Sequence, residues 1–129
     1  MERSLYSARY CFVENLLAKG ILHQSEHFIL DQWFQASLAS APVDLIIYLK
    51  SDPDVVYERI KQRGRPEESG ITLDYLRNLH QRHEDWLIHE KFPLPAPVLT
   101  INANTPLEQI IDVYEEKTDV ILREHLIAA

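Results

Sequence analysis

The chain has 129 residues, 46% hydrophobic and 26% charged, a balance that argues against a disordered or fibrous polypeptide and predicts one globular domain with at most one core. Its formal charge of −7 argues against a nucleic-acid binder, which needs a basic face to displace counterions, and leaves a small anionic ligand open. No run approaches the ~20 apolar residues of a membrane span, no signal-peptide core is present, and the single Cys11, between Tyr10 and Phe12, predicts a packed thiol in a reducing compartment.

From Ser4 to Lys19, Leu5, Ala8, Phe12, Leu16 and Ala18 keep roughly helical spacing, and Gly20 stands where a helix C-cap glycine belongs. Ser25 starts a second predicted helix through Phe28, Ile29, Trp33 and Phe34, which fades at Ala39 to Pro42. Asp44 to Lys50 is a short apolar run between Pro42 and Pro53 and reads as a parallel strand buried on both faces. Ser51 or Asp52 then caps a helix with Pro53 at its first position, running to about Gln62. Gly64, Pro66 and Gly70 punctuate a loop, and Thr72 caps a longer helix through Leu73, Leu76, Leu79, His83, Trp86 and Leu87. Pro93, Pro95 and Pro97 stop it, Val98 to Asn102 makes a second strand, and Asn104-Thr105-Pro106 caps one last helix carrying Leu107, Ile110, Ile111, Tyr114 and Val120. The alternation predicts an α/β layer architecture, yet a doubly buried parallel strand needs more neighbours than two candidates supply. The sequence therefore reads as part of a larger sheet, or as one that associates to complete itself.

Four of the thirteen basic residues, Arg59, Lys61, Arg63 and Arg65, fall within seven positions of an otherwise acidic chain. Arg59 and Arg63 stand four apart on one helix face, and Arg65 follows Gly64 where the chain bends, so three guanidiniums can converge. Their rigid forks match phosphate oxygens and can neutralise charge on a transferring phosphoryl group. The competing reading is a solvated basic helix end that complements the helix dipole and pairs with Glu58, Glu67 or Glu68. His80, His83 and Glu84 share a face but make no complete tetrahedral metal set, and His83 and Trp86 are expected to pack the helix onto the sheet.

The segment from Glu2 to Phe12 (ERSLYSARYCF) closely resembles the E-R-S-x-x-S-x-R-Y-x-F segment of deoxyribonucleoside kinases of the thymidine kinase 2 and insect deoxynucleoside kinase type. The strand DLIIYLK, the arginine-rich lid of about residues 59 to 70, and His83-Glu84-Asp85-Trp86-Leu87 follow in the expected order, so the resemblance covers nearly the whole chain. It implies part of a P-loop NTPase-like three-layer α/β/α fold with a parallel sheet, and residues 1 to 129 as the C-terminal part of the kinase domain. It implies ATP-dependent phosphorylation of the 5′-hydroxyl of a deoxyribonucleoside, with Mg²⁺, in the cytoplasm or mitochondrion, by a protein that is a homodimer when complete. Glu2 would lie near the metal, as a hard oxygen ligand, and Arg3 near the 5′-hydroxyl. Phe12 would stack on the nucleobase with Ala8 at its edge, leaving room for thymidine and predicting a pyrimidine preference. Arg59, Arg63 and Arg65 would close on the phosphates and Glu68 would hold the sugar 3′-hydroxyl. Without the resemblance, Phe12 reads as a core residue of the Ala8 and Leu16 stripe, Glu68 as a surface acid paired with an arginine, and Glu2 and Arg3 as an exposed terminus.

The family's phosphate loop ends in Gly-Lys-Ser or Gly-Lys-Thr, and none of the three glycines here, at 20, 64 and 70, precedes a lysine. The segments that supply the catalytic base and the upstream tryptophan and glutamine of the base pocket also lie before this region in the family. A truncated gene model, an alternative start and a degenerate copy all fit, and residues 1 to 129 alone are expected to be inactive, marginally stable and prone to associate. A non-catalytic remnant that binds a partner is the alternative. A thymidylate-type monophosphate kinase shares an arginine-rich lid but is not expected to carry the E-R-S-x-x-S-A-R-Y-C-F helix.

Overall fold

A computed structural model describes residues 4–40 and 42–127, with side chains described as far as residue 122. The predicted order of elements is present, but the described residues divide into two compact units in place of a single core. The first joins the N-terminal residues to Pro42 with Thr72–Leu94, and the second joins Val43–Ile71 with Pro95 onward.

The first unit is helical. Its opening helix begins as α1 (Leu5–Ser7), with Ser4 accepting a hydrogen bond from the Ser7 amide at 3.0 Å, widens into a π-helical stretch (Ala8–Val13), and closes as α2 (Glu14–Ala18). Gly20 adopts φ 67°, the left-handed conformation that ends a helix without a Cβ clash. The expected apolar stripe does not form the core: Leu16 and Ala18 are exposed, while Arg9, Tyr10, Cys11 and Asn15 are buried. A π turn closes over five residues instead of four, so it carries residues off the face that α-helical spacing assigns to them.

Helix α3 (Gln24–Ser37) starts ahead of the expected Ser25, because His23 and Glu26 form a reciprocal capping box, with Glu26 accepting from the His23 amide at 2.8 Å. Helix α5 (Leu73–Leu87) starts as expected, on a Thr72 hydroxyl that accepts from the Tyr75 amide at 3.2 Å.

The core between these helices is aromatic. Tyr10 stacks on Phe92 with centroids 4.6 Å apart, meets Phe34 edge-on at 5.2 Å and Trp86 at 5.5 Å, and Tyr6 stacks on Trp86 at 6.4 Å. Trp86 therefore packs α5 against the first helix, as does His83 against Phe12. Among the described residues the buried Trp86 indole N–H has no hydrogen-bond partner, which carries a desolvation cost. Cys11 is fully buried as expected, and burial, only partly opposed by Arg82, pushes its thiol up to about 12.

The second unit holds β1 (Ile46–Lys50) and β2 (Val98–Asn102), paired in parallel from Ile46 opposite Val98 to Lys50 opposite Asn102. Among the described residues these are the only strands. Tyr48 and Ile101 are buried, but Leu49 is 47% exposed, so β1 lacks the cover on both faces that its apolar run predicts. Helix α4 (Pro53–Arg63) has Pro53 at its first position and ends at Gly64 with φ 64°. The single helix expected after β2 is two, α6 (Leu107–Glu116) and α7 (Thr118–Ile127), broken at Lys117. No helix among the described residues is long and apolar enough to cross a membrane.

Candidate active site

The arginine-rich segment folds as a tight reversal at the end of α4. Gly64 turns the chain back, Pro66 opens a single 3₁₀ turn (Pro66–Glu68), and the Glu68 amide donates to the Arg65 carbonyl at 3.0 Å. Glu68 thereby returns to Arg63. The Arg63 Nε donates to Glu68 Oε2 at 3.0 Å and its Nη2 lies 2.6 and 2.7 Å from Oε1 and Oε2, while Arg65 Nη1 stands 3.8 Å from Oε1. Lys61 pairs separately with Glu58 at 3.1 Å and lies over the Tyr57 ring at 4.2 Å. A cleft of about 370 Å³ is lined by Lys61, Gly64, Arg65, Glu68 and Ser69 beside Tyr57.

Arg59 does not join this group. Its Nη1 donates to the Ala103 carbonyl at 2.6 Å, and its Nη2 to the Asn104 and Thr105 carbonyls at 3.2 and 3.1 Å. The expected convergence of three guanidiniums is thus two at Glu68 and one on backbone. A helical face shared by Arg59 and Arg63 says nothing of three successive carbonyls more than forty residues further along the chain.

Those carbonyls lie just past the carboxyl end of β2, the end of an open α/β sheet where ligand crevices form. The turn after β1 is tied to the same place: the Asp52 amide donates to Asn104 Oδ1 at 2.8 Å, and Asn104 Nδ2 donates to Asp52 Oδ2 at 3.0 Å. The Ala103 amide donates to the Lys50 carbonyl at 2.7 Å, and the Asn104 amide to Asn102 Oδ1 at 3.0 Å. Asp52 occupies the N-cap position but spends its side chain on Asn104 instead of on the helix. The sequence signals two turn residues here, Asp52 before Pro53 and Asn104 before Pro106, but nothing in it pairs them.

In the helical unit, Ala8 and Phe12 stand four apart on the π-helical stretch, half-buried and on one face. The Phe12 ring meets His83 edge to face at 6.4 Å. His83 is oriented by its Nδ1–H, which donates to the Leu79 carbonyl at 2.7 Å.

Sequence reasoning missed Arg9. It is buried, bonds Glu14, and reaches Asp31 Oδ1 from Nε at 2.9 Å and Nη2 at 2.8 Å, while His27 Nε2 lies 2.9 Å from the same Glu14 oxygen. Burial pushes the Glu14 carboxyl up, but the hydrogen bonds from His27 and Arg9 and the Arg9 charge outweigh it and leave Glu14 below its ordinary value. The signal was available as an arginine between Ala8 and Tyr10 with Glu14 five residues on, but an arginine inside a helix reads as solvated until its burial is known.

Glu2 and Arg3 lie outside the described residues. Among those described, no three His, Cys, Asp or Glu side chains group to hold a metal ion. The family model for deoxynucleoside kinase matches residues 1–126. The chain belongs to the deoxynucleoside kinase family.

The P-loop NTPase-like α/β fold of these kinases accounts for a parallel strand pair with helical crossovers. Over 125 residues the chain is 44% identical to thymidine kinase 2, mitochondrial, of Homo sapiens, covering 95% of this chain and 47% of that protein. It is 39% identical to deoxycytidine kinase 2 of Gallus gallus over 98% of this chain and 48% of that one, and 37% identical to human deoxycytidine kinase over 93% and 49%. The chain thus spans about half the length of the curated relatives it matches.

Proposed function

We propose that the complete protein carrying this segment transfers the γ-phosphoryl of ATP to the 5′-hydroxyl of a deoxyribonucleoside, with thymidine accepted. The observation that carries this reading is the lid turn, where Arg63 and Arg65 are gathered at one carboxylate and remain largely open to solvent. Phosphoryl transfer needs little covalent chemistry from a protein beyond positioning and charge stabilisation, and two adjacent guanidiniums supply both. Arg59 spends three of its five N–H donors on backbone carbonyls, so it offers a phosphate less than Arg63 or Arg65 does. Ala8 and Phe12 offer a flat ring beside an open edge for a pyrimidine base, and the relatives are named thymidine and deoxycytidine kinases. Glu2 and Arg3 would take the metal and the 5′-hydroxyl, as the resemblance implies.

The proposal extends to a cytoplasmic or mitochondrial homodimer. The exposed Phe28, Ile29 and Trp33 of α3 are the kind of apolar area such an interface uses. Residues 1 to 129 by themselves are proposed to be inactive, since they contain no Gly-Lys-Ser or Gly-Lys-Thr loop.

The test is ATP-dependent phosphorylation of thymidine and deoxycytidine by the complete protein and its Ala8→Asp variant, alongside residues 1 to 129 alone. The expected result is turnover of thymidine by the complete protein, a fall in its kcat/KM on Ala8→Asp, and none by the segment. A complete protein that phosphorylates no deoxyribonucleoside overturns the reading.

A further inference from the structure

We infer that Glu68 is the residue that aims the lid arginines, a positioning role beyond the sugar contact that the resemblance implies. The inference rests on the kinase reading above. Glu68 is the least exposed member of the trio, its side chain 18% accessible against 47% for Arg63 and 58% for Arg65. A carboxylate is drawn that far from water only where donors meet it, and Arg63 meets it as a fork through Nε and Nη2.

Three features of the backbone hold Glu68 in that place. Gly64 takes the left-handed conformation that reverses the chain, Pro66 fixes the start of the 3₁₀ turn, and the Ile71 amide closes on the Glu68 carbonyl at 3.0 Å. The carboxylate is therefore anchored by backbone, whereas each arginine hangs on a long side chain. A fork on a carboxylate restricts a guanidinium in direction as well as distance, and it engages only one edge. Arg63 Nη1 is outside the contact and Arg65 lies at its margin, so both keep donors for an anion. With Glu68 neutral, two like charges two residues apart would separate and lose their common aim.

The two roles separate on a substrate without the 3′-hydroxyl. In the complete protein, Glu68→Gln keeps the size of the side chain and removes its charge. A positioning role predicts that kcat falls by roughly tenfold to a hundredfold and KM for ATP rises, by similar factors for thymidine and for 3′-deoxythymidine. Glu68→Asp, with the charge kept, should recover part of the loss, and calorimetry without nucleoside should show weaker ATP binding in Glu68→Gln than in wild type.

A loss confined to the KM of thymidine, and absent with 3′-deoxythymidine, overturns positioning in favour of a hydroxyl contact alone. Unchanged ATP affinity in Glu68→Gln overturns it as well. Failure of the kinase reading is recognised separately, by a wild type that binds ATP and phosphorylates no nucleoside. ATP affinity across the Glu68 variants then still decides whether the carboxylate aims the arginines. A wild type that binds no ATP overturns both.

Discussion

The two units use arginine in opposite ways. In the helical unit Arg9 is buried and committed to Glu14 and Asp31, inside a core that also buries Tyr10, Cys11, Phe34, Leu79, Trp86 and Leu87. In the strand-bearing unit the buried residues described are Tyr48, Ile101 and Ala103, and Arg63 and Arg65 sit on the surface with one carboxylate between them. Removing one partner from a buried pair strands the other charge, whereas an exposed pair is screened and can be traded for a ligand. Burial, and not residue type, separates an arginine that holds the fold from one that is available to chemistry. Arg59 is the exception, exposed and yet spent on backbone carbonyls.

The largest effect expected from breaking this contrast is on the aromatic core. Trp86→Ala removes the ring that Tyr6 and Tyr10 pack on and should cost about 3–5 kcal/mol of stability, read by denaturant unfolding with near-ultraviolet circular dichroism. A loss below about 1 kcal/mol would mean the helical unit is held elsewhere.

Arg59 against Arg63 sharpens the comparison within one helix. Arg59→Ala frees three carbonyls and should cost about 1–3 kcal/mol in unfolding experiments. Arg63→Ala should change stability by no more than about 0.5 kcal/mol, yet lower kcat of the complete protein by about 10²-fold. Equal stability losses would erase the distinction between clamp and site.

Acid should act on the helical unit first. Glu14 and Asp85 both lie below their ordinary values of 4.5 and 3.8, because hydrogen bonds from His27 and Arg9 to the one, and from Gln81, Lys91 and His89 to the other, outweigh burial. A depressed folded-state pKa contributes stability that is complete above the ordinary value and is lost as pH falls through the folded one. Thermal unfolding should therefore lose midpoint below about pH 4.5, and Glu14→Gln should flatten part of that slope. The smallest effect is at the cap of α5, where Thr72→Ala should cost about 1 kcal/mol and Thr72→Ser nearly nothing.

Much of the strand-bearing unit was legible in advance. Pro53 and Gly64 bound α4 as expected, and the run from Val98 to Asn102 is β2. Both signals are local, since proline and left-handed glycine act on their own backbone. The cap of α3 was misplaced because a histidine served where serine was expected, and the last helix was read as one because nothing in Lys117-Thr118 announces a break. At the candidate site, the nearness of Arg63, Arg65 and Glu68 follows from a reversal that Gly64 and Pro66 announce. The carbonyls that take Arg59 could not be foreseen, because they belong to a distant turn.

By itself the sequence determined the order of helices and strands, the family through the Glu2 to Phe12 segment and the lid, and the acidic balance of the whole. These depend on residues close together in the chain, or on the identity of a motif. Tertiary structure alone decided that Arg9 is buried and Arg63 open, that Asp52 answers Asn104, and that a π-helical stretch turns Tyr10 and Cys11 into the core. The physical reason is that a charge or a ring acquires its role from what surrounds it, and the partners here lie 22 residues away for Arg9 and 52 for Asp52, beyond the reach of any local pattern.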